Sequence, residues 1–132
     1  MTANGIVATG AILGGLAVAI GAFGAHGLAG RVAAEQLAVF EIGVRYHFYH
    51  ALALVLVGLF AGRASAGGAV VQASGGLVLT AWLFLAGVAI FSGSLYVLVL
   101  TGQRWLGAVT PIGGLSFIAG WVAFARAALA GP

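Results

Sequence analysis

Between Arg63 and Arg104 the chain contains no acidic or basic side chain, and residues 77–100 within that interval are strongly apolar. A run of this length exceeds the roughly 20 residues that a helix needs to cross the hydrocarbon core of a bilayer. Three further apolar stretches, at about residues 5–25, 46–62 and 105–126, have the same character. Because their residues are continuously apolar rather than alternating, these stretches predict membrane-spanning helices and not the strands of a β-barrel.

The composition leads to the same class of protein. Hydrophobic residues make up 63% of the chain and charged residues 5%, whereas soluble domains carry about 25% charged residues. Five arginines and two glutamates are too few to cover a water-exposed surface. The basic residues are scattered singly, so that a nucleic-acid partner is not expected. The absence of cysteine from the sequence excludes disulfides, thiolate metal sites and a cysteine nucleophile.

The first apolar stretch allows two interpretations. Small residues near its end could form the cleavage site of a signal peptide, but no positive charge precedes the apolar run, as a signal peptide requires. A retained first span is therefore the favoured interpretation. An even number of spans places both chain termini on the same side of the membrane.

The segment at residues 33–46, before the second span, contains both glutamates of the chain. Leu37, Phe40 and Val44 follow helical spacing and form an apolar stripe. This pattern predicts an amphipathic helix at the membrane surface that continues or bends into the second span. Glu41 and Arg45 are four residues apart, which predicts an ion pair. The expected fold is thus all-α: a single-domain, integral membrane four-helix bundle with an amphipathic interfacial helix.

Glycine is abundant, with 23 residues in the chain. Small residues at three- and four-residue steps allow helices to approach closely in lipid. Such sets are Gly10, Gly14, Ala17 and Gly21; Ala89 and Gly93; and Ser116 and Gly120. We interpret them as packing surfaces within one chain, with a dimer interface as the alternative. Pro111 fits the first turn of the last helix with Thr110 as its N-cap. A glycine-rich link is expected at residues 64–76.

Four ordered segments resemble the signature segments of the YgdD/YwdK-like family of small bacterial membrane proteins. They read "GAFGAHGL", "YHFYHALAL", "FSGSLYVLVLTG" and "LGAVTPIGGLSFIAGW". The resemblance covers nearly the whole chain and implies a four-helix, multi-pass protein of the bacterial inner (plasma) membrane. It brings no established reaction, substrate or cofactor.

Several polar side chains within or beside the spans are candidates for a ligand site or a polar network. They are His26, Glu41, Arg45, Tyr46, His47, His50, Ser92, Ser94 and Tyr96. The three histidines could bind a metal or a haem iron, but two glutamates cannot complete a di-iron site. We expect instead that His26 and His50 bond to backbone carbonyls or hydroxyls, and that His50 points inward towards His26. No metal site and no cofactor are predicted.

The segment "FSGSLY" could supply a serine nucleophile if a histidine of the second span acted as its base. No acid is positioned in the sequence to orient that histidine, so we expect Ser92, Ser94 and Tyr96 to form hydrogen bonds between helices. The chain is predicted not to be an enzyme.

The sequence favours a small accessory or scaffold protein that binds membrane lipid or a larger membrane complex. The alternative is a carrier or channel for a small solute or a proton, working as a homo-oligomer, because ionisable groups inside a membrane are candidates for transport. Glycine-rich, closely packed helices leave little room for a substrate cavity, which is why this is the second choice.

Overall fold

A computed structural model of the chain describes residues 1–63 and 72–130. Helix α1 (Ala3–Phe23) runs into a π-helical turn at Gly24–Leu28 and is followed by α2 (Ala34–Gly62). Helix α3 (Gly75–Gly87) continues through a second π-helical turn at Val88–Ser92 into α4 (Gly93–Thr101), and α5 (Leu106–Ala130) completes the described chain. Residues 64–71 of the predicted link lie outside the described residues.

Four helical units in the described part of the chain are long and apolar enough to cross a membrane. They are Ala3–Leu28, Ala34–Gly62, Gly75–Thr101 and Leu106–Ala130. The predicted all-α membrane fold is confirmed.

Local signals in the sequence explain several helix ends. The Thr2 hydroxyl oxygen accepts a hydrogen bond from the Gly5 N–H at 3.0 Å, which satisfies one of the free N–H groups that begin α1. The Gln36 side chain similarly accepts from the Ala33 N–H at 3.3 Å at the start of α2. Helix α4 ends at Gly102, whose φ of 71° is the left-handed conformation that glycine adopts at low cost.

The predicted interfacial helix is the first part of α2 and not a separate element. Helix α2 runs from Ala34 to Gly62 without interruption, because no proline occurs in that range. The apolar stripe faces α1, and Phe40 within it is 1% exposed. The predicted amphipathic helix thus continues into the second span, which is one of the two courses that the sequence allowed, and its apolar stripe was correctly identified.

The N-cap predicted for the last helix, Thr110, is wrong. Helix α5 begins at Leu106 and contains Pro111 in its interior, while Thr110 is buried and its hydroxyl donates to the Leu106 carbonyl at 3.2 Å or contacts Ser94. The N–H groups of residues 106–108 bond to the carbonyls of residues 103–105, which starts the helix one turn earlier. Proline within a membrane helix is tolerated where neighbouring groups satisfy the freed carbonyl.

The bundle consists of two antiparallel pairs, α1 with α2 and α3–α4 with α5. Along the first pair, a Cβ added to Gly10 would lie 2.7 Å from the Ala51 carbonyl oxygen. Along the second, a Cβ added to Gly113 would collide with the Phe91 backbone nitrogen, and one added to Gly120 would lie 2.6 Å from the Phe84 ring. The helices therefore approach so closely at these positions that only glycine fits without a shift.

Two of the three predicted small-residue surfaces are confirmed, those of Gly10–Gly21 and Ser116–Gly120. The surface at Ala89 and Gly93 is wrong, because Ala89 is exposed and an added Cβ at Gly93 would meet nothing within 4 Å. The π-helical turn at Val88–Ser92 inserts an extra residue and changes which side chains face inward. Gly87 takes the packing position instead, against the ring of Phe117.

The two helix pairs meet in a common apolar core. It includes Ile6, Leu54, Val57, Leu77, Phe84 and Phe117. Thr2 forms an isolated bridge with Gln72, and Gly76 lies beside Ala127. Residues 1 and 130 are consequently at the same end of the bundle.

Candidate functional site

His50 lies between α2 and α5 and uses both of its ring nitrogens. The Trp121 Nε1–H donates to His50 Nε2 at 3.2 Å, and His50 Nδ1 lies 2.8 Å from the carbonyl oxygen of Tyr46. The imidazole stacks on the Phe117 ring, with 3.5 Å between the ring centroids and 11° between the planes. His50 is 4% exposed and thus belongs to the interior of the bundle.

These contacts determine the tautomer of His50. An indole N–H can only donate, so His50 Nε2 must accept and carry no proton. Nδ1 then carries the proton and donates it to the Tyr46 carbonyl. With one nitrogen protonated and the lone pair of the other engaged by Trp121, His50 has no lone pair left for a metal ion.

The sequence placed His50 correctly but gave it the wrong partner. The prediction that it points inward is confirmed, whereas His26 is exposed at the end of α1. The π-helical turn that carries His26 packs through Gly24 against Phe40, and Phe40 precedes His50 on α2 by about 15 Å along the helix axis. The three histidines therefore do not form one site.

His47 forms a second polar contact, between α2 and α4. Its Nδ1 lies 3.2 Å from the hydroxyl of Tyr96. His47 Nε2 and the hydroxyl of Ser92 are buried without a hydrogen-bond partner among the described residues. Ser92 and Tyr96 are one helical turn apart, so this polar group lies at the end of the second π-helical turn. Such turns frequently occur at functional sites.

Ser94 and Thr110 link α4 to α5 through their hydroxyls, 2.7 Å apart. The Ser94 hydroxyl also lies 2.9 Å from the Phe91 carbonyl, and that of Thr110 lies 3.2 Å from the Leu106 carbonyl. Two hydroxyl protons cannot make all three bonds, so one of the three contacts lacks a proton at any given time. The predicted hydrogen bonds between helices are confirmed for Ser94 and Tyr96, whereas the prediction is wrong for Ser92, which has no such partner among the described residues.

Sequence reasoning missed Trp121 and Phe117 as residues that join helices, and it identified Ser116 only as a packing residue. Trp121 and Phe117 hold the His50 ring, and the Ser116 hydroxyl donates to the Leu83 carbonyl at 2.8 Å across α5 and α3. A tryptophan N–H inside an apolar span was the available signal, because a buried indole usually finds an acceptor. Tyr46, by contrast, was identified as a candidate, and it contributes its carbonyl to His50 and its ring to Phe91 at a centroid distance of 4.7 Å.

Glu41 and Arg45 are both exposed on α2, and in the part of the chain that the structure describes no ion pair within 4.0 Å joins them. The predicted ion pair is therefore wrong. An exposed pair at this spacing contributes only about 0.3–0.5 kcal/mol, which is too little to hold two flexible side chains together. Both residues instead border a groove between α1 and α2.

The described residues contain neither a metal-binding cluster nor an activated serine. Within residues 1–63 and 72–130, no three His, Asp or Glu side chains are grouped closely enough to hold a metal ion. The Ser94 hydroxyl contacts Thr110 and the Phe91 carbonyl, and His47 contacts Tyr96. The polar side chains of this site therefore join neighbouring helices through hydrogen bonds.

The model of a family described as "Protein of unknown function (DUF423)" matches residues 20–114. The chain belongs to the DUF423 family. The matched range of this DUF423 protein includes all nine candidate residues and ends before Trp121. No solved structure matches the chain.

Curated relatives of this DUF423 protein are named as membrane proteins. UPF0382 membrane protein YwdK of Bacillus subtilis is 47% identical over 120 residues, covering 91% of this chain and 92% of the relative. UPF0382 membrane protein SH2409 of Staphylococcus haemolyticus is 47% identical over 113 residues, covering 86% and 85%. UPF0382 membrane protein SAB0533 of Staphylococcus aureus is 46% identical over 113 residues, with the same coverage. The resemblance to YwdK-like proteins is confirmed, and the protein is a multi-pass membrane protein.

Proposed function

We propose that this DUF423 protein is a small accessory or scaffold protein of the bacterial inner membrane that binds lipid or a larger membrane complex. The observation that carries the proposal is that both ring nitrogens of His50 already have hydrogen-bond partners within the bundle. A histidine inside a membrane bundle is a candidate for transport or catalysis, but both nitrogens of His50 are engaged by Tyr46 and Trp121. Its ring is further held against Phe117. The residue serves to join α2 to α5.

The packing of the helices supports the same proposal. Glycines at the contacts between helices bring backbones together, as at Gly10 against Ala51 and Gly113 against Phe91. Cavities formed by the described residues include open grooves, one of about 670 Å³ bordered by Leu79 and Val122 and a smaller one bordered by Val18 and Tyr49. Surfaces of this kind contact lipid or the helices of another protein. A closely packed interior with grooves outside favours binding over transport.

Purification under mild conditions tests this proposal. A tagged copy expressed at native level is extracted in mild detergent, passed through size-exclusion chromatography and analysed for phospholipid and protein per chain. We expect a fixed ratio of bound phospholipid or of another membrane subunit that survives chromatography. An unrelated inner-membrane protein of similar size with the same tag serves as the control for carry-over.

A homo-oligomer free of both lipid and other subunits would contradict the proposal. If such an oligomer also carried protons or a small solute across liposomes, the protein would be a carrier or channel instead.

A further inference from the structure

A groove follows the outer face of the bundle where α1 and α2 meet. Two cavities of about 260 Å³ and 170 Å³ share Gly21, Val44 and Arg45 as lining residues, so they form one continuous groove. Each is smaller than the pockets of about 300–1,000 Å³ that enclose drug-sized ligands. From Arg45 towards the middle of the second span, which is the direction called below here, the groove is bordered by apolar residues, among them Ala17 and Phe48. Its dimensions and lining suit a slender apolar chain.

Two opposite charges border this α1–α2 groove, one at its middle and one in its outer part. Arg45 borders both cavities, and Glu41, one helical turn closer to the start of α2, borders the smaller one. As described above, the two side chains are exposed and form no ion pair with each other. An unpaired charge on the lipid-facing side of a membrane helix is costly unless it finds a partner or reaches the headgroup region. Both charges are therefore available to headgroup partners from outside the chain.

The depth of Arg45 fits the headgroup region. The eighteen residue steps from Arg45 to Arg63 span about 27 Å at the helical rise of 1.5 Å per residue, which is close to the roughly 30 Å thickness of the hydrocarbon core. The two arginines thus mark the two edges of the apolar part of α2. Glu41 lies about 6 Å further out than Arg45, among the headgroups.

We propose that the α1–α2 groove binds one molecule of phosphatidylethanolamine, an inference that rests on the proposed function and names its ligand. From the membrane surface inward the groove offers a carboxylate, a guanidinium and an apolar channel. A phosphatidylethanolamine molecule presents, in the same order, a primary ammonium, a phosphate and an acyl chain. Arg45 binds the phosphate, Glu41 accepts hydrogen bonds from the ammonium, and an acyl chain lies along the channel below Arg45.

The carboxylate of Glu41 selects among phospholipids. The trimethylated ammonium of phosphatidylcholine has no N–H to donate to a carboxylate, and phosphatidylglycerol has no cation at all. Phosphatidylglycerol therefore leaves Glu41 without a cationic partner, and phosphatidylcholine offers it a cation but no hydrogen bond. A hydrogen bond to a charged group is worth enough to discriminate about tenfold or more. We therefore expect phosphatidylethanolamine to bind about tenfold more tightly than the other two.

Native mass spectrometry of the full-length protein, titrated separately with dioleoyl forms of the three lipids, tests the site. Arg45→Gln should weaken the binding of all three lipids about tenfold or more, because it removes the phosphate partner. Glu41→Gln should lower the affinity for phosphatidylethanolamine to that for phosphatidylcholine and leave the latter unchanged. Arg104→Gln and Glu35→Gln are matched controls, since both residues are exposed at the same end of the bundle outside the lining of the groove. These two variants should bind like the parent.

Equal binding of the three lipids by the parent, or parent-like binding by Arg45→Gln, would overturn the inference. A photo-reactive amino acid in place of Val18, which lines the groove, provides a second test. Cross-links from this position to a second copy or another protein instead of to lipid would also overturn the inference. If lipid or another subunit stays bound at a fixed ratio in both groove variants, the α1–α2 groove fails as the site while the proposed function stands. If the parent retains neither lipid nor another subunit, both fail.

Discussion

His50 shows at the scale of a single residue how the bundle uses its few polar side chains. The Trp121 N–H and the Tyr46 carbonyl are its partners, and Phe117 covers its ring. Replacing His50 with alanine leaves the indole N–H without an acceptor and removes the stacked ring. We expect His50→Ala to lower the free energy of unfolding by about 1–3 kcal/mol, measured by denaturant titration in mild detergent. A variant as stable as the parent would show that these contacts contribute nothing.

Ser92 provides the opposite case, because its buried hydroxyl has no hydrogen-bond partner among the described residues. Removing an unpartnered hydroxyl from an apolar site relieves the cost of its desolvation. We expect Ser92→Ala to be as stable as the parent or slightly more stable in the same titration. A loss comparable with that of His50→Ala would mean that the hydroxyl is bonded in the membrane.

Some of these contacts could be predicted from the sequence and others could not. It placed His50 inward because Glu41 and His50 fall on opposite faces of one helix, which is a local property. It could not identify Trp121 as the partner, since the two residues are 71 positions apart and only the packing of α2 against α5 joins them. The Glu41–Arg45 pair failed for a different reason: correct spacing permits a contact but does not supply the energy to hold it.

At the scale of the helices, α1 depends on glycine for its contact with α2. A Cβ at Gly10 would lie 2.7 Å from the Ala51 carbonyl oxygen, whereas one at Gly15 would meet nothing within 4 Å. Gly10→Ala should therefore destabilise the protein by about 1–3 kcal/mol through overpacking. Gly15→Ala is the matched control and should be neutral or stabilising, because alanine favours the helix by up to about 1 kcal/mol. Equal melting temperatures for the two variants in detergent would contradict the close approach of α1 and α2.

Apolar length predicted the spanning helices, but finer features of the same helices were not predictable. The π-helical turn at Val88–Ser92 does not change the apolar composition of the span, but it changes which residues face the interior. Regular helical spacing therefore assigned Ala89 and Gly93 to the contact between helices, whereas Gly87 makes that contact. Pro111 was wrongly assigned to the first turn of α5, because proline suits such a position, whereas the backbone bonds of residues 106–108 start the helix earlier. The hydrogen bonds between the preceding link and the first turn, and not the local preference of proline, therefore determine where α5 begins.

At the scale of the whole molecule, the antiparallel helix pairs bring both ends of the chain to one end of the bundle. Thr2 meets Gln72, and Gly76 meets Ala127, so Met1 and the end of α5 lie together. We expect reporter fusions at Met1 and at Pro132 to report the same side of the membrane. A fusion after Gly102 is the internal control and should report the opposite side. Opposite results for the two terminal fusions would require one helix not to span.

The central claim is that this DUF423 protein acts through its outer surface and not through a path across its interior. Proteoliposomes containing phosphatidylethanolamine and a pH-sensitive dye test it most directly, with protein-free liposomes and the His47→Ala variant measured in parallel. His47 is the informative position because its Nε2 is buried without a partner among the described residues. We predict that the parent protein leaves the proton leak at the level of protein-free liposomes. A leak that the parent supports and His47→Ala abolishes would contradict the claim.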